Sequence, residues 1–156
     1  MLLPFFEWAE GTGLGTFIRN SLWLFPVIEA VHLLGLCLLG GAVLIVDLRM
    51  LGAGLTNQRI ADLARYARPF LIAALIILVS TGVLLFFSEA VKLYYNRSFW
   101  VKITALPIAL LVTFLVRDRF ARDEKLETSL RSRVLGITSI ALWFTVAAAG
   151  RWIGFS

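Results

Sequence analysis

The chain has 156 residues, of which 60% are hydrophobic and only 16% are charged, and its formal net charge is +5. Soluble domains usually contain about 25% charged residues, so this composition excludes an ordinary soluble domain. The basic residues lie mostly in segments that flank apolar stretches. This pattern is a membrane topology signal and does not favour nucleic acid as a partner.

Four apolar stretches approach the roughly 20 residues that a helix needs to cross a bilayer. They cover residues 22–46, 70–87, 99–116 and 134–155. They leave room only for short loops and a short N-terminal segment, in which Glu7, Glu10 and several glycines interrupt the apolar residues. We therefore predict one all-α domain over 1–156, an integral membrane four-helix bundle with a short N-terminal interfacial segment in contact with the lipid bilayer.

The charges of the loops predict the orientation of the bundle. The loop after the first span and the loop after the third carry ten of the fifteen Lys and Arg residues. Basic loops are retained in the cytoplasm. We therefore expect a multi-pass protein of the cell inner membrane with both termini outside the cytoplasm.

The same two loops carry local patterns. Residues 51–68 have an amphipathic middle, which predicts a short helix on the cytoplasmic surface, with Pro69 opening the second span. Residues 117–133 alternate charges of both signs, which is typical of a solvated helix or turn. Binding of anionic lipid by this basic segment is an alternative.

His32 is the only histidine, and it lies ten residues inside the first apolar stretch. At 1.5 Å per residue it would sit roughly 15 Å below the outer end of the helix. Glu29 precedes it by three residues, a spacing that places two side chains on one helix face. Ionisable residues within a membrane usually face the bundle interior, where they pair, bind a ligand or carry protons. A structural Glu29–His32 pair and a ligand histidine oriented by Glu29 both remain open.

Two further cations fall at the predicted outer side. Lys102 begins the third span and Arg151 ends the fourth. Either residue alone is best explained as a side chain that extends to the lipid headgroups. Together with Glu29 and His32, they would form a cationic rim over a cavity suited to carboxylates, such as haem propionates. Cys37 lies within the first span and is interpreted as a small packing residue.

Several short motifs resemble a superfamily of bacterial four-span membrane proteins that includes the CopD-like copper-resistance proteins and the HemJ-like protoporphyrinogen oxidases. They are Ile28-Glu29-Ala30-Val31-His32-Leu33-Leu34-Gly35 with Gly40-Gly41, then Ser80-Thr81-Gly82, then Phe99-Trp100-Val101-Lys102. The chain is most similar to the uncharacterised members. In the HemJ-like enzymes, a first-span histidine and a lysine that opens a later span are functionally important, and b-type haem is bound; His32 and Lys102 match these positions in kind and order.

The resemblance implies a membrane protein that binds haem b for redox or porphyrin chemistry, with His32 as the metal ligand. By the position of the residues rather than by the resemblance, Glu29 would orient His32, and Lys102 and Arg151 would pair with propionates to complete the cofactor site. Alternatively, Lys102 would act in substrate chemistry; the catalytic residues are unknown. A non-catalytic scaffold or anchor subunit of a larger complex, or a homo-oligomer, is the second hypothesis. Copper or ion handling ranks lowest, because soft copper sites favour clustered Cys and Met, and Cys37, Met1 and Met50 are scattered.

Overall fold

A computed structural model describes residues 2–120 and 129–155, and every regular element among them is helical. The helices are α1 (Leu3–Glu10), α2 (Gly13–Asn20), α3 (Leu24–Leu51), α4 (Ile60–Ser88), α5 (Ala90–Tyr95), α6 (Arg97–Leu111), α7 (Asp118–Phe120) and α8 (Leu130–Ile153). A π-helical segment, Val112–Arg117, joins α6 to α7. The predicted all-α class is confirmed.

Four helical stretches are long and apolar enough to cross a membrane: Leu24–Leu51, Ile60–Ser88, Arg97–Arg117 and Leu130–Ile153. They correspond in order to the four predicted spans, with different ends. Helix α3 packs against α4 and α8, and α8 packs against α6. Many large apolar side chains remain on the outer surface, as expected for helices whose solvent is lipid.

The central core lies between these helices and is built largely from small and medium apolar side chains. Leu39, Val43 and Val46 of α3 meet Leu71 and Ala74 of α4 in one buried cluster. The cluster also includes Ala105, Ala109, Trp143 and Val146 from α6 and α8. Small residues let helix backbones approach closely, which is a main source of helix association in lipid.

Helix α4 differs from the sequence-based prediction. It begins at Ile60 and continues through Pro69 without a break, so the separate surface helix predicted within 51–68 is wrong. Ile60 and Leu71 are buried on one stripe of this helix, and Leu63 packs against the same core. The amphipathic pattern therefore marks the bundle-facing side of a long helix. Proline is tolerated within membrane helices when neighbouring groups satisfy the freed carbonyl.

The N-terminal segment forms two short helices that pack against the junction of α4 and α5. Glu10 accepts a hydrogen bond of 2.6 Å from the backbone N–H of Val91 and pairs with Arg19 at 3.1 Å. Arg19 also donates to the carbonyl of Ser88 at 3.0 Å. A Cβ on Gly15 would collide with the carbonyl of Phe87, so only glycine allows this approach. The segment is thus tied to the bundle at the end where α3 begins.

The segment 117–133 was predicted to be solvated, but its first residue is buried. Arg117 is 1% exposed and lies in the bundle core, where it meets Asp47. Residues 121–128, with their part of the predicted lipid-binding run, lie outside the described residues.

Candidate functional site

The imidazole of His32 lies between the four long helices near the start of α3. Its Nδ1 is 2.8 Å from Oγ1 of Thr81 on α4. The Thr81 hydroxyl also lies 2.6 Å from the carbonyl of Ile77, to which it can donate its proton. With that proton on the carbonyl, the hydroxyl accepts from the N–H of Nδ1, and the lone pair of a neutral ring is on Nε2.

The Nε2 atom of His32 faces a lysine from the third span. Nζ of Lys102 is 3.5 Å from Nε2, and the Lys102 side chain is half-buried. This distance is longer than an ordinary N–H···N bond, so the amine is beside the lone pair without a tight contact. Among the described residues, no carboxylate forms an ion pair with Lys102.

Two glycines make room for this pair. A Cβ on Gly82 of α4 would lie 3.5 Å from Cε1 of His32. A Cβ on Gly150 of α8 would lie 3.4 Å from Nζ of Lys102 and 3.6 Å from its Cε. His32, Thr81 and Lys102 form a polar cluster, and together with Gly150 they come from all four long helices. The side chains of His32 and Lys102 lie beside the two glycines.

Glu29 does not join the cluster. Its side chain is exposed, and the two ring nitrogens of His32 face Thr81 and Lys102. The buried stripe of this part of α3 runs through Ile28, His32 and Gly35, and Glu29 lies one position off it. The residue in hydrogen-bond contact with the ring is therefore Thr81 and not Glu29. Helical spacing alone did not fix which side of His32 faces the bundle.

Arg151 is also outside the cluster. It is exposed near the end of α8, and its guanidinium lies 4.5 Å from the ring centre of Phe155. It shares the end of the bundle with Lys102, because its neighbour Gly150 contacts that side chain. Of the two cations of the predicted rim, Lys102 is therefore half-buried and Arg151 is exposed.

A second polar site lies at the other end of the same helices. Nη1 of Arg117 donates to Oδ1 of Asp47 at 3.2 Å, and the two side chains are 2% and 0% exposed. One turn away, the indole N–H of Trp143 donates to Oγ1 of Thr113 at 2.9 Å. The charge pattern predicted a solvated position for Arg117, so this buried ion pair was not foreseen.

The π-helical segment explains how Arg117 reaches the core. Ala105, Ala109, Thr113 and Arg117 are all buried although they are four residues apart. In an α-helix each step of four residues rotates a side chain by roughly 40°, which would carry the stripe away from the bundle. The wider π turn over Val112–Arg117 reverses this drift. One sequence signal could have indicated this ion pair: Asp47 and Arg117 lie at the same predicted end of two spans and have opposite charges.

Metal-ligating side chains do not cluster in the part of the chain that the structure describes: no group of three His, Cys, Asp or Glu residues lies together there. Cys37 is exposed on α3, so it faces away from the bundle, contrary to the predicted packing role.

Residues 5–156 match a family of unknown function, DUF6644. The chain belongs to this family. The comparison with curated proteins gave no match. The comparison with solved structures gave none either. The family supplies no activity, so the resemblance to the CopD-like and HemJ-like proteins stays a prediction.

Within this DUF6644 chain, the His32 cluster offers more chemistry than the Asp47 pair. It places a neutral nitrogen lone pair beside an amine, in a half-buried position reached by all four helices. Such a pair can accept or donate a proton, and the imidazole can ligate a metal through Nε2. The buried ion pair already has matched charges.

Proposed function

We propose that this protein binds b-type haem at the His32 end of the bundle and uses it in redox or porphyrin chemistry. The observation that supports the proposal is the 2.8 Å hydrogen-bond contact between Nδ1 of His32 and Oγ1 of Thr81. A hydrogen bond at one ring nitrogen fixes the tautomer and directs the other nitrogen toward a metal. Thr81 would thus do for the ring what sequence analysis assigned to Glu29.

The residues fit such a group in donor chemistry. His32 would hold the iron through Nε2, and Lys102 would have to leave its position 3.5 Å from that atom. Its ammonium, with the exposed Arg151 at the same end, would pair with propionates. Haem would supply electron transfer or oxidation of a porphyrin. Because the chain has one histidine, any second histidine ligand would have to come from a second protomer.

The proposed setting is the bacterial inner membrane. The Asp47 end carries Arg49, Arg59, Arg65 and Arg68 on or beside helices α3 and α4. By the retention of basic loops in the cytoplasm, we place this end inside the cell. The His32 end, with both termini, would then lie on the outer side.

The test is the visible absorption spectrum of protein purified in mild detergent after expression with ample haem supply. We expect a Soret band and, on reduction, sharp α and β bands that His32→Ala abolishes. Lys102→Met should lower the haem content but keep the bands of the haem that is bound, because it removes one propionate partner and leaves the His32 ligand in place. Lys92→Met, at an exposed lysine paired with Glu89 at 3.7 Å, is the matched control and should leave the spectrum unchanged.

A colourless wild-type protein under these conditions would contradict the haem proposal. Bands that persist in His32→Ala would contradict the role of His32 and leave haem bound elsewhere.

The second candidate function is a non-catalytic scaffold or anchor subunit of a larger membrane complex. One observation favours it. The space beside Gly82 is taken up by the His32 side chain, and the space beside Gly150 is taken up by the Lys102 side chain. On this proposal the pair is a polar junction between helices. His32→Ala would then lower the thermal stability of a colourless protein and weaken its recovery with partner subunits or with a second copy of the chain.

A further inference from the structure

The buried ion pair at the Asp47 end leaves part of its hydrogen-bonding capacity unused. Its single contact joins Oδ1 of Asp47 to Nη1 of Arg117. Asp47 Oδ2, Arg117 Nε and the hydroxyl oxygens of Ser132 and Ser139 are fully buried and have no hydrogen-bond partner within the described structure. A buried polar atom without a partner is costly, and each such atom needs an explanation.

Three of these atoms belong to side chains that meet at one place. Asp47 and Arg117 are in contact, and Ser139 of α8 lies beside the carboxylate of Asp47. Its hydroxyl oxygen does not reach hydrogen-bonding geometry with any described group. The site therefore joins α3, the π-helical segment and α8, and each of the three contributes an unsatisfied polar atom.

The chemistry of these atoms restricts what fits between them. A cation would be repelled by the Arg117 guanidinium, and an anion would be repelled by the Asp47 carboxylate. The carboxylate oxygen requires a donor, the guanidinium N–H requires an acceptor, and the serine hydroxyl accepts either. A small neutral molecule with both functions satisfies all three.

We propose that a water molecule binds between Asp47 Oδ2, Arg117 Nε and Ser139 Oγ. It donates to the carboxylate, accepts from the guanidinium and completes its third bond with the serine. Buried waters typically make about three such bonds to otherwise unsatisfied groups. The site is independent of the haem proposal, because it lies at the other end of α3.

A nearby methionine allows a direct test by X-ray radiolytic footprinting, in which bound water releases hydroxyl radicals that oxidise adjacent side chains. Met50 is 2% exposed and lies three residues after Asp47. A Cβ on Gly136 would contact both the Asp47 carbonyl, at 3.1 Å, and Cβ of Met50, at 3.3 Å. In intact protein in lipid nanodiscs, we expect Met50 to be oxidised despite its burial.

The comparison is with the double variant Asp47→Leu/Arg117→Leu, in which the site has no polar pair to hold water. Its Met50 oxidation should fall to the level of the unirradiated sample. Thr138→Val, at an exposed neighbour of Ser139 on α8, is the matched control and should retain the wild-type oxidation. If the double variant does not fold, Ser139→Val fills the space beside the carboxylate and should lower Met50 oxidation.

An absence of Met50 oxidation in the wild type would overturn the proposal, as would oxidation that is equal in the wild type and in a folded variant of the site. Oxidation that depends on the sodium or chloride concentration would also overturn it, because an ion would then occupy the site.

Discussion

The two polar sites of this bundle join the same two helical stretches but differ in how their charges are matched. His32 and Asp47 lie fifteen residues apart on α3, and Lys102 and Arg117 lie fifteen residues apart on the third stretch. At the Asp47 end, a carboxylate meets a guanidinium and both are fully buried. At the His32 end, a half-buried lysine meets an imidazole.

The difference separates a site whose charges are matched from a site that holds an unmatched cation. A buried ion pair with matched charges is costly to break and has little reason to change its partner. A lysine beside a nitrogen lone pair has no opposite charge, so a ligand with carboxylates or a metal would gain by replacing that contact. The apolar core of Leu39, Val43 and Ala109 lies between the two sites and keeps their chemistry separate.

The largest expected effect is at the ion pair. Asp47→Ala should destabilise the bundle by about 3–5 kcal/mol, because it leaves the Arg117 guanidinium buried without a partner. The measurement is thermal unfolding in detergent, followed by circular dichroism.

The matched control for that prediction removes both charges. The double variant Asp47→Leu/Arg117→Leu should be close to the wild type, since apolar replacement of a buried pair is often neutral or stabilising. An Asp47→Ala variant as stable as the wild type would show that Arg117 finds another partner and that the pair does not hold the two helices together.

The two ends should also differ in their tolerance of a methyl group at a glycine. Gly136→Ala places Cβ 3.1 Å from the Asp47 carbonyl oxygen, so α3 and α8 must separate, at a cost of about 1–3 kcal/mol. Gly82→Ala places Cβ 3.5 Å from the His32 ring, an ordinary contact, and alanine is the better helix former. The unfolding midpoint should fall for Gly136→Ala and stay or rise for Gly82→Ala; the reverse order would contradict the close packing at the Asp47 end.

A smaller effect is expected at the hydroxyl that holds the imidazole. Thr81→Val removes the acceptor 2.8 Å from Nδ1 of His32 and should cost about 1–3 kcal/mol, because a partly buried N–H loses its partner. Ser80→Ala is the matched control: Ser80 also donates to the carbonyl four residues earlier, at 2.7 Å, but is exposed. Equal unfolding midpoints for the two variants would show that Thr81 does not orient the ring.

Much of this architecture was predictable because apolar length sets the number of spans. The four stretches and the N-terminal segment follow from hydropathy alone. His32 and Lys102 were also predictable, because ionisable residues are rare within apolar segments and usually face the bundle. The contact between these two side chains was not predictable, because it depends on how the helices pack and on Gly82 and Gly150, which no periodic pattern distinguishes from other glycines.

The errors have a common physical cause. Helical spacing gives the relative angle of two side chains but not which one faces the bundle, so Glu29 was placed beside His32 and Thr81 was not given its role. Charge marked Arg117 as a loop residue, because the π turn that directs it inward has no recognisable sequence pattern. An amphipathic stripe was assigned to the membrane surface although it continues the core face of α4.

The smallest effect is expected at Arg151, and it tests how far the polar cluster around His32 extends. Arg151→Ala should change the free energy of unfolding by less than about 0.5 kcal/mol, as for most exposed positions, because its ring contact with Phe155 is exposed. Lys102→Met, at the half-buried cation, should shift the unfolding midpoint further. If the two variants shifted the unfolding midpoint equally, Arg151 would belong to the polar cluster. The His32 end would then contain two coupled cations, which would favour an anionic ligand more strongly.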